Sequence, residues 1–365
     1  MKKLKTALIG CGKVAGAHAD AFTALERSDF RAVCGHTSEK TKAFAERYGV
    51  SAYTNVTEMV EKEGIEAVSI CTPHPTHATL CLEAIRAGCH VIVEKPFAVT
   101  ASECHEMNQA AARKNLTLAV LFQRRLYEPC QRIRRAIDEG KLGKVILGNV
   151  TMLGWRDEAY YRSDPWRGSW TGEGGGVLPT QACHQLDLLL WYMGSEIEEV
   201  YGTAVNYNHP YIEVEDSALA IIKFRNGAAA TIFASNSQNP ALFGKVRIHG
   251  DNGATVGVQT DGGAMFVAGM SKIEEAPYND FWTIPGEEGL LETFRESDKK
   301  QFFSHDPEKY YHQLMLDDFL QAAADGRKPA ITGEEGSRSV ELIEAIYQSS
   351  RSGMPVRFPF GATDR

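Results

Sequence analysis

Apolar and polar residues follow two alternating patterns over the first third of the chain. Short apolar runs rich in β-branched residues predict strands, and the stretches between them, with apolar residues at helical spacing, predict helices. The predicted strands cover residues 6–9, 30–34, 67–71, 91–94 and 116–122, and the predicted helices cover residues 14–26, 38–48, 76–87 and 102–114. In the second helix we expect Ser38 as the N-cap and Gly49 as the stop. This alternation predicts a doubly wound parallel α/β sheet with right-handed connections.

The pattern changes near residue 124. After a predicted helix around residues 129–139, apolar runs follow one another with few helical stretches between them. The runs cover residues 145–152, 200–206, 217–224, 228–235 and 245–249, and a helix is predicted at 183–193. Consecutive strands without intervening helices indicate a large, mostly antiparallel sheet in an α+β domain. We therefore expect two domains, residues 1–124 and 125–365, as the chain length also suggests.

Composition and charge narrow the class of protein. With 43% hydrophobic residues the chain can bury a large core, and a net charge of −8 without a basic run argues against nucleic acid and anionic membranes as partners. No apolar run approaches the roughly 20 residues that span a bilayer, and the N-terminus lacks a signal-peptide pattern. The eight cysteines show no repeated Cys-x-x-Cys spacing, which indicates free thiols in a reducing, cytoplasmic compartment.

A glycine-rich turn follows the first predicted strand. Gly10 permits a tight turn, and Gly12 lets the backbone approach a pyrophosphate. The small Ala15 or Gly16 permits close contact between helix and strand, and the helix N-terminus would face the phosphates. We therefore predict a dinucleotide-binding Rossmann domain. Its phosphate-binding turn would comprise Gly10, Gly12, Lys13 and Val14.

The residues after the second predicted strand bear on the choice between NAD and NADP. An acidic residue here would bind the adenosine ribose hydroxyls, but the chain has Gly35, followed by His36, Thr37 and Ser38. No carboxylate is present to repel a 2′-phosphate, and the last three side chains can donate hydrogen bonds to one. We predict NAD(P) as cofactor, with NADP slightly favoured over NAD. The alternatives are that His36 is an exposed loop residue and that both cofactors are used.

Lys95 follows an apolar, β-branched run at residues 90–93 that is typical of a strand covered on both faces. Ligands bind at the carboxyl ends of strands in such sheets. Pro96 stops the strand and would hold Lys95 at the mouth of a cleft. The plainer alternative is a solvated charge at a strand end.

Several further motifs combine with the glycine turn and Lys95, and together they cover nearly the whole chain. They are Cys71-Thr72-Pro73 with His77, the segment from Ala87 to Pro96, Gly174-Gly175-Gly176 with His184 and Asp187, Gly333-Glu334-Glu335-Gly336, and Ile346-Tyr347-Gln348-Ser349. In this combination the chain resembles the glucose-fructose oxidoreductase / inositol dehydrogenase (Gfo/Idh/MocA) family. The resemblance implies hydride transfer between NAD(P) and a carbinol carbon of a sugar, cyclitol or related polyol.

The resemblance also implies roles for single residues. Lys95 would be the active-site lysine, reaching the reacting oxygen and the nicotinamide ribose, and His184 the active-site histidine. Further groups on the cofactor side would be Thr72, Pro73, His77, Glu94 and Gln123, with Trp166 and Arg167 closing over the nicotinamide end. One position departs from the pattern, since many members carry an aspartate where this chain has Thr180. Some members with a non-acidic residue there act on nucleotide sugars or on sugar 3-carbonyls.

The chemistry requires a group that removes the hydroxyl proton as hydride leaves. Histidine, with an unperturbed pKa of ~6.5, accepts a proton near neutral pH. Lys95 can polarise the oxygen as a cation or act as the base itself. Because Thr180 cannot act as base, we assign proton transfer to His184 and electrostatic stabilisation to Lys95. The alternative for His184 is a structural residue that pairs with Asp187 one turn along the helix.

Substrate contacts are expected on the segment that leads to this helix. Three consecutive glycines at 174–176 permit close backbone approach to a ligand, the alternative being a flexible loop. The aromatic and arginine side chains before them suit stacking on sugar rings and bonding to hydroxyls; they are Trp155, Arg156, Tyr160, Tyr161, Trp166, Arg167 and Trp170. We predict substrate contacts from Arg156 and Tyr161 in addition to Lys95, Thr180 and His184. The alternative for this cluster is a dimer interface or a lid.

No metal site is predicted, because the pair of His74 and His77 has no third ligand nearby. Two other functions keep the same fold, namely an NAD(P)-binding sensor and an NAD-dependent glycoside hydrolase. We expect a homodimer or homotetramer, because an exposed apolar sheet face tends to be covered by a partner and because the family resemblance implies it.

Overall fold

The computed structural model describes residues 3–262 and 272–359. They form two compact units. The first comprises the chain up to Gln123 together with Asp306–Val340, and the second comprises Arg124–His305 together with the chain from Glu341 onward. A division at residue 124 alone would place Asp306–Val340 in the second domain, whereas in the structure this segment packs with the first unit.

The strands build one sheet in each unit. In chain order they are β1 (Leu4–Ile9), β2 (Ser28–Cys34), β3 (Ser51–Tyr53), β4 (Ala67–Ile70), β5 (His90–Val93), β6 (Leu118–Val120), β7 (Val145–Leu153), β8 (Ile197–Val205), β9 (Ser217–Phe224), β10 (Ala229–Ser235), β11 (Phe243–Gly250), β12 (Thr255–Asp261), β13 (Tyr278–Trp282) and β14 (Val356–Arg357).

The helices in chain order are α1 (Ala15–Ala24), α2 (Ser38–Tyr48), α3 (Val56–Glu63), α4 (His77–Arg86), α5 (Ala101–Lys114), α6 (Glu128–Asp138), α7 (Glu158–Arg162), α8 (Trp170–Glu173), α9 (Cys183–Met193), α10 (Leu291–Phe302), α11 (Pro307–Asp325) and α12 (Gly333–Ser352). A π-helical turn, Leu178–Ala182, leads directly into α9. Shorter 3₁₀ turns include His74–Thr76 and Gln123–Leu126.

The sheet of the first unit is parallel, in the order β3-β2-β1-β4-β5-β6. Its central strands are apolar on both faces because helices cover both sides, and all four residues of β4 are buried. Residues from α11 also reach this sheet, since α11 packs against α1 and β5. The predicted doubly wound α/β domain is confirmed, and the carboxyl ends of β1, β4 and β5 lie side by side.

Local sequence explains how several of these helices begin or end. Asn55 caps α3 by accepting a hydrogen bond from the Glu58 amide, and Thr100 forms a capping box with Glu103 at α5. Gly49 ends α2 as predicted, with a φ of 66°. Ser38 is the first residue of α2 rather than its N-cap; that position is Thr37, whose side chain makes no capping bond. The expectation for Ser38 was therefore wrong by one residue.

The sheet of the second unit is mixed, in the order β13-β12-β11-β7-β10-β9-β8-β14. Its strands pair antiparallel except for β7 and β10. Burial alternates along β9, so one face of the sheet is covered and the other is open. The apolar helix α9 packs on the covered face against β7 and β11. The predicted α+β domain with a large, mostly antiparallel sheet is confirmed.

Two further findings concern the cysteines and the helices. The eight cysteines all lie within the described ranges and form no disulfide bond. Among residues 3–262 and 272–359, no helix combines the length and apolarity that a membrane span requires.

Candidate functional site

The glycine turn after β1 has the geometry of a phosphate-binding turn. Gly10 has a φ of 116°, and a Cβ atom on it would lie 2.8 Å from the Cys71 carbonyl oxygen. Only glycine fits there. Gly12 is exposed, and no protein atom lies within 4 Å of the position that its Cβ would occupy. The turn, which continues through exposed Lys13 and half-buried Val14 into α1, therefore leaves room for a pyrophosphate at the helix N-terminus.

The loop after β2 presents the side chains that were predicted to distinguish the cofactors. His36 and Thr37 are exposed, and Ser38 is half-buried. Gly35 donates its amide to the Tyr53 carbonyl at 3.0 Å. A Cβ atom on Gly35 would collide with the Thr41 hydroxyl, which itself bonds to the Thr37 carbonyl. Gly35 therefore has a packing reason to be glycine, independent of any repulsion between an acid and a phosphate.

His77 ties together the loops that follow β4 and β5. It is fully buried, and its two ring nitrogens each lie 2.9 Å from a backbone carbonyl oxygen, those of Thr72 and Pro96. Thr72 is half-buried and Pro73 is exposed at the same loop. The structure thus places His77 behind Thr72 and Pro73 as a group that fixes the loops. The pair of His74 and His77 stacks edge to face, with ring centroids 5.8 Å apart.

Glu94 and Lys95 follow β5 in different environments. Lys95 is half-buried, whereas Glu94 is buried, and the Glu94 Oε2 atom accepts the Lys95 amide at 3.1 Å. The Glu94 Oε1 atom lies 3.0 Å from His18 Nε2 and 3.5 Å from His312 Nε2. Burial alone would raise the pKa of Glu94, but the hydrogen bond from His18 and the neighbouring His312 hold it well below its usual range. Gln123, half-buried, is the last residue before the second unit.

The cluster of His18, Glu94 and His312 was not foreseen from the sequence. Its ligand atoms lie within 4.8 Å of one another, so the three side chains could hold a metal ion. His18 comes from α1 and His312 from α11, so they are almost 300 residues apart in the chain. No short motif connects residues at such a separation.

In the second unit, the three glycines are held by a buried glutamate. Glu215 accepts the amides of Gly176 at 2.9 Å and Leu178 at 3.1 Å, and the Tyr347 hydroxyl at 2.8 Å. A side chain on Gly176 would collide with the Glu215 carbonyl oxygen. The glycines therefore allow close approach, as predicted, but the approaching group visible here is the protein's own backbone. Burial raises the pKa of Glu215 to about 7, although the three donors favour its charged form.

Thr180 lies in the π-helical turn before α9, and a buried carboxylate stands behind it. Its hydroxyl donates to Glu173 Oε1 at 3.2 Å. Glu173 also accepts the Gly168 amide at 2.6 Å and lies 3.9 Å from the Arg167 guanidinium. Because the Thr180 proton is directed at Glu173, its oxygen lone pairs can accept a hydrogen bond from a ligand. The sequence analysis missed Glu173 and Glu215, since neither belongs to a recognisable motif.

His184 is buried on α9. Asp187, one turn further on, is held by Arg125 through two bonds of 2.8 and 2.6 Å. The Asp187 carboxylate is therefore engaged in a bidentate ion pair with an arginine, the geometry that guanidinium and carboxylate groups prefer. This pair anchors α9 to the turn that contains Arg125.

The predicted aromatic and arginine cluster packs largely on itself. Arg167 lies over the rings of Tyr160 and Trp166, at 4.3 and 4.5 Å, in cation–π geometry. Arg156 and Tyr161 are buried, and Arg156 donates to the Trp155 carbonyl. Trp166 is half-buried, and Trp170 is 44% exposed. In this arrangement Arg156 and Tyr161 pack inside the segment rather than lying on its surface.

Comparison with known proteins agrees with this architecture. Residues 4–122 match the profile described as an oxidoreductase family with an NAD-binding Rossmann fold, and residues 130–256 match the GFO/IDH/MocA C-terminal domain. The myo-inositol 2-dehydrogenase of Thermotoga maritima is 23% identical over 95% of this chain and 96% of its own. The scyllo-inositol 2-dehydrogenase (NAD⁺) of Bacillus subtilis is 24% identical over 97% of this chain and 96% of its own.

A solved structure extends the comparison. The WlbA dehydrogenase from Bordetella pertussis, in complex with NADH and UDP-GlcNAcA, has a TM-score of 0.85 and 26% identity, covering 98% of this chain and 99% of that one. The predicted family, fold and enzyme class are thereby confirmed. With both family profiles matched in their expected order on the two units, the chain belongs to the GFO/IDH/MocA family of NAD-binding oxidoreductases.

Proposed function

We propose that this enzyme oxidises a secondary alcohol of a sugar, cyclitol or related polyol, or reduces the corresponding ketone. The observation that carries the proposal is the placement of Lys95 at the carboxyl end of β5, in the same sheet edge as the glycine turn after β1. Relatives named as inositol dehydrogenases support the substrate class.

The first unit offers a fitting site for the cofactor. The open space beside Gly12 and the exposed donors His36 and Thr37 suit the phosphates of a dinucleotide. Thr72, Pro73 and Lys95 lie at the neighbouring strand ends. Bound NAD(P) would supply the group that accepts hydride from the carbinol carbon.

The protein's own residues would handle the proton. In our proposal the Lys95 ammonium stabilises negative charge on the substrate oxygen, and His184 accepts the hydroxyl proton. Thr180, with its hydroxyl donated to Glu173, accepts a hydrogen bond from a substrate hydroxyl and orients the ring. Glu173 compensates in part for the missing aspartate by fixing the direction of the Thr180 hydroxyl.

The preference for NADP remains part of the proposal. The absence of an acid after β2 and the exposed His36 and Thr37 support it, whereas the relative structure contains NADH. Because a side chain on Gly35 would displace the Thr41 hydroxyl, the matched test is His36→Asp, which introduces a carboxylate at an exposed position. We expect NADP to bind at least as tightly as NAD, and His36→Asp to weaken NADP selectively. Fluorescence titration showing tenfold tighter NAD in the unmodified enzyme would contradict this.

Assembly into a homodimer or homotetramer is also proposed. Large apolar side chains are 40–54% exposed on the open sheet face, and they are neighbours across the strands: Tyr201 pairs with Ile221, and Leu219 pairs with Phe233. A second copy of the chain would cover this patch. Light scattering should show an oligomer that Ile221→Glu dissociates, and a monomer at micromolar concentration would refute the proposal. The proposed compartment is the cytoplasm, which suits eight thiols without disulfides.

A substrate panel tests the central proposal. The full chain is incubated with NAD or NADP and with inositols, free sugars, glycosides and UDP-GlcNAcA, and absorbance of reduced nicotinamide is followed. We expect turnover with at least one polyol and its loss in Lys95→Ala. Cofactor binding without reduction by any of these alcohols would instead favour a sensor. Glycoside cleavage without net cofactor reduction would favour the hydrolase alternative.

A further inference from the structure

A buried cluster in the first unit connects the predicted catalytic lysine to a distant helix. Glu94, directly before Lys95, faces His18 of α1 and His312 of α11. The side chains of His18 and His312 are 0% and 4% exposed, and that of Glu94 is 11% exposed. Charges at this depth require compensation within the protein, so the protonation states of the two histidines decide what the cluster does.

The contacts of His312 indicate that it is an imidazolium, because one ring nitrogen donates a hydrogen bond and the other lies at ion-pair distance from a carboxylate. Its Nδ1 atom lies 2.6 Å from the Glu308 carbonyl oxygen, which can only accept, so Nδ1 carries a proton. Its Nε2 atom faces the Glu94 carboxylate at 3.5 Å. An unprotonated Nε2 would direct its lone pair at a carboxylate oxygen, and the two would repel each other. We therefore infer that Nε2 is protonated too. Burial alone would lower the pKa of His312, but the Glu94 carboxylate raises it above its usual value.

His18 completes the cluster as a neutral ring. Its Nδ1 atom bonds to the Ser69 hydroxyl at 2.8 Å, and its Nε2 atom donates to Glu94 at 3.0 Å. Burial lowers the pKa of His18, which keeps it uncharged. One carboxylate charge is thus matched by one imidazolium charge. The other titratable groups that face Glu94 or His312 are Cys71 after β4, His77 of α4 and Glu308 of α11.

We propose that His312 is a positioning residue for Lys95. As an imidazolium it fixes one oxygen of Glu94, while the other oxygen accepts the Lys95 amide at 3.1 Å, so the backbone at Lys95 is held from α11. This inference rests on the proposed role of Lys95. It predicts that loss of the His312 charge lowers turnover more than substrate affinity.

A bound metal ion is the competing explanation for the same three side chains. Two histidine nitrogens and a carboxylate oxygen are a ligand set that zinc accepts. A metal would require His312 Nε2 to be unprotonated, whereas an ion pair requires it to be protonated. Metal content and protonation state therefore separate the two explanations.

The first experiment uses the unmodified full chain and needs no substrate. Nitrogen NMR of the histidine rings is recorded as a function of pH, and His312 is assigned by the signals lost in His312→Gln or, where that variant does not fold, in His312→Lys. We expect both His312 nitrogens to be protonated at neutral pH and the purified protein to contain no stoichiometric metal. An unprotonated Nε2, or one equivalent of zinc, would overturn the proposal whatever the enzyme acts on.

The second experiment measures kinetics with the best polyol. Loss of an orienting partner costs roughly 10–100-fold at metal ligands, and we expect a loss of that order in kcat for His312→Gln, with a smaller change in KM. His312→Lys, which keeps a cation, should recover part of it. Leu314→Gln on the exposed side of α11 is the matched control. In a Lys95→Ala background, His312→Gln should cost nothing more; an equal loss in both backgrounds would mean that His312 acts only on folding.

Discussion

Glu94 in the first unit and Glu215 in the second are both buried glutamates beside segments that carry predicted catalytic residues, yet their pKa values shift in opposite directions. Glu94 is flanked by two histidines and its pKa is lowered. Glu215 accepts three hydrogen bonds from neutral donors, and burial still raises its pKa to about 7. Neutral dipoles offset only part of the cost of burying a charge, whereas an imidazolium offsets more. What a buried carboxylate does here depends on whether a neighbour can carry positive charge.

The same contrast separates the two predicted catalytic residues. Lys95 follows a carboxylate that is held in its charged form, and His184 follows a turn held by one that titrates near neutral pH. The two segments therefore differ in how pH affects the carboxylate that supports them: Glu94 stays charged at neutral pH, whereas Glu215 titrates there.

The largest expected effects come from removing the two proposed catalytic groups, His184 and Lys95. His184→Ala should lower turnover by roughly 10²–10⁴-fold with little change in cofactor affinity, because it removes proton transfer. Lys95→Ala should lower turnover comparably and also weaken cofactor binding, because Lys95 contacts both ligands in our proposal. Turnover and cofactor affinity of both variants are measured with the best polyol. A His184→Ala enzyme with near-normal turnover would move the base to Lys95.

A smaller effect is expected from Thr180 and Glu173. Thr180→Ala removes a substrate-orienting hydroxyl that cannot act as base, so it should cost less turnover than His184→Ala. Glu173→Gln keeps the size of the side chain but weakens the acceptor for the Thr180 hydroxyl. It should raise KM in the native background and have little further effect in Thr180→Ala. Independent, multiplying effects of the two changes would show that Glu173 does not act through Thr180.

The smallest expected effect is on the pH dependence of stability. It tests whether the pKa values of Glu94 and Glu215 are shifted in opposite directions. Because the folded pKa of Glu215 is raised to about 7, the folded state holds a proton that the unfolded state releases above about pH 4.5. The Glu215 contribution to stability should therefore fall as the pH rises between these values, by at most roughly 1.4 kcal/mol per pH unit. Glu94, with a lowered pKa, should contribute stability at neutral pH that is lost as the pH falls.

Urea unfolding between about pH 5 and pH 7 measures the Glu215 contribution, and the same measurement below about pH 4.5 measures the Glu94 contribution. Glu215→Gln should make the unfolding free energy rise more, or fall less, with increasing pH than in the native enzyme. Glu94→Gln should instead change how the unfolding free energy depends on pH below about pH 4.5. Equal pH dependence in the native enzyme and Glu215→Gln would show that Glu215 does not titrate in this range.

Much of the first unit could be predicted because its site residues sit in contiguous motifs. The glycine turn, Thr72 and Lys95 each follow a strand, and parallel strands bring their carboxyl ends to one edge. The contacts that these residues receive from distant parts of the sequence could not be predicted. His312 reaches Glu94 only because α11 packs with the first unit, and no local pattern encodes that return of the chain.

The second unit was less predictable. The helix at Cys183–Met193 was found from its apolar pattern with the bounds that the structure shows, and β9 likewise. β12–β14 and α10 were missed in this unit, and β3, α3 and α11 were missed in the first. α12, whose residues are divided between the two units, was missed as well. Glu173 and Glu215 were missed as well, because a single glutamate in a sequence does not reveal which backbone amides it will bind. Gly35 was interpreted as a cofactor determinant, and the structure adds a packing reason, because a Cβ atom there would collide with the Thr41 hydroxyl.

In our proposal the enzyme moves hydride from a carbinol carbon of a polyol to the nicotinamide. The most direct test uses the best polyol of the panel, deuterated at its carbinol carbons, with isolation of the reduced cofactor for mass spectrometry. We expect one deuterium in each reduced nicotinamide, and none when Lys95→Ala replaces the native enzyme for the same reaction time. Conversion of the deuterated polyol without deuterium in the cofactor would contradict it.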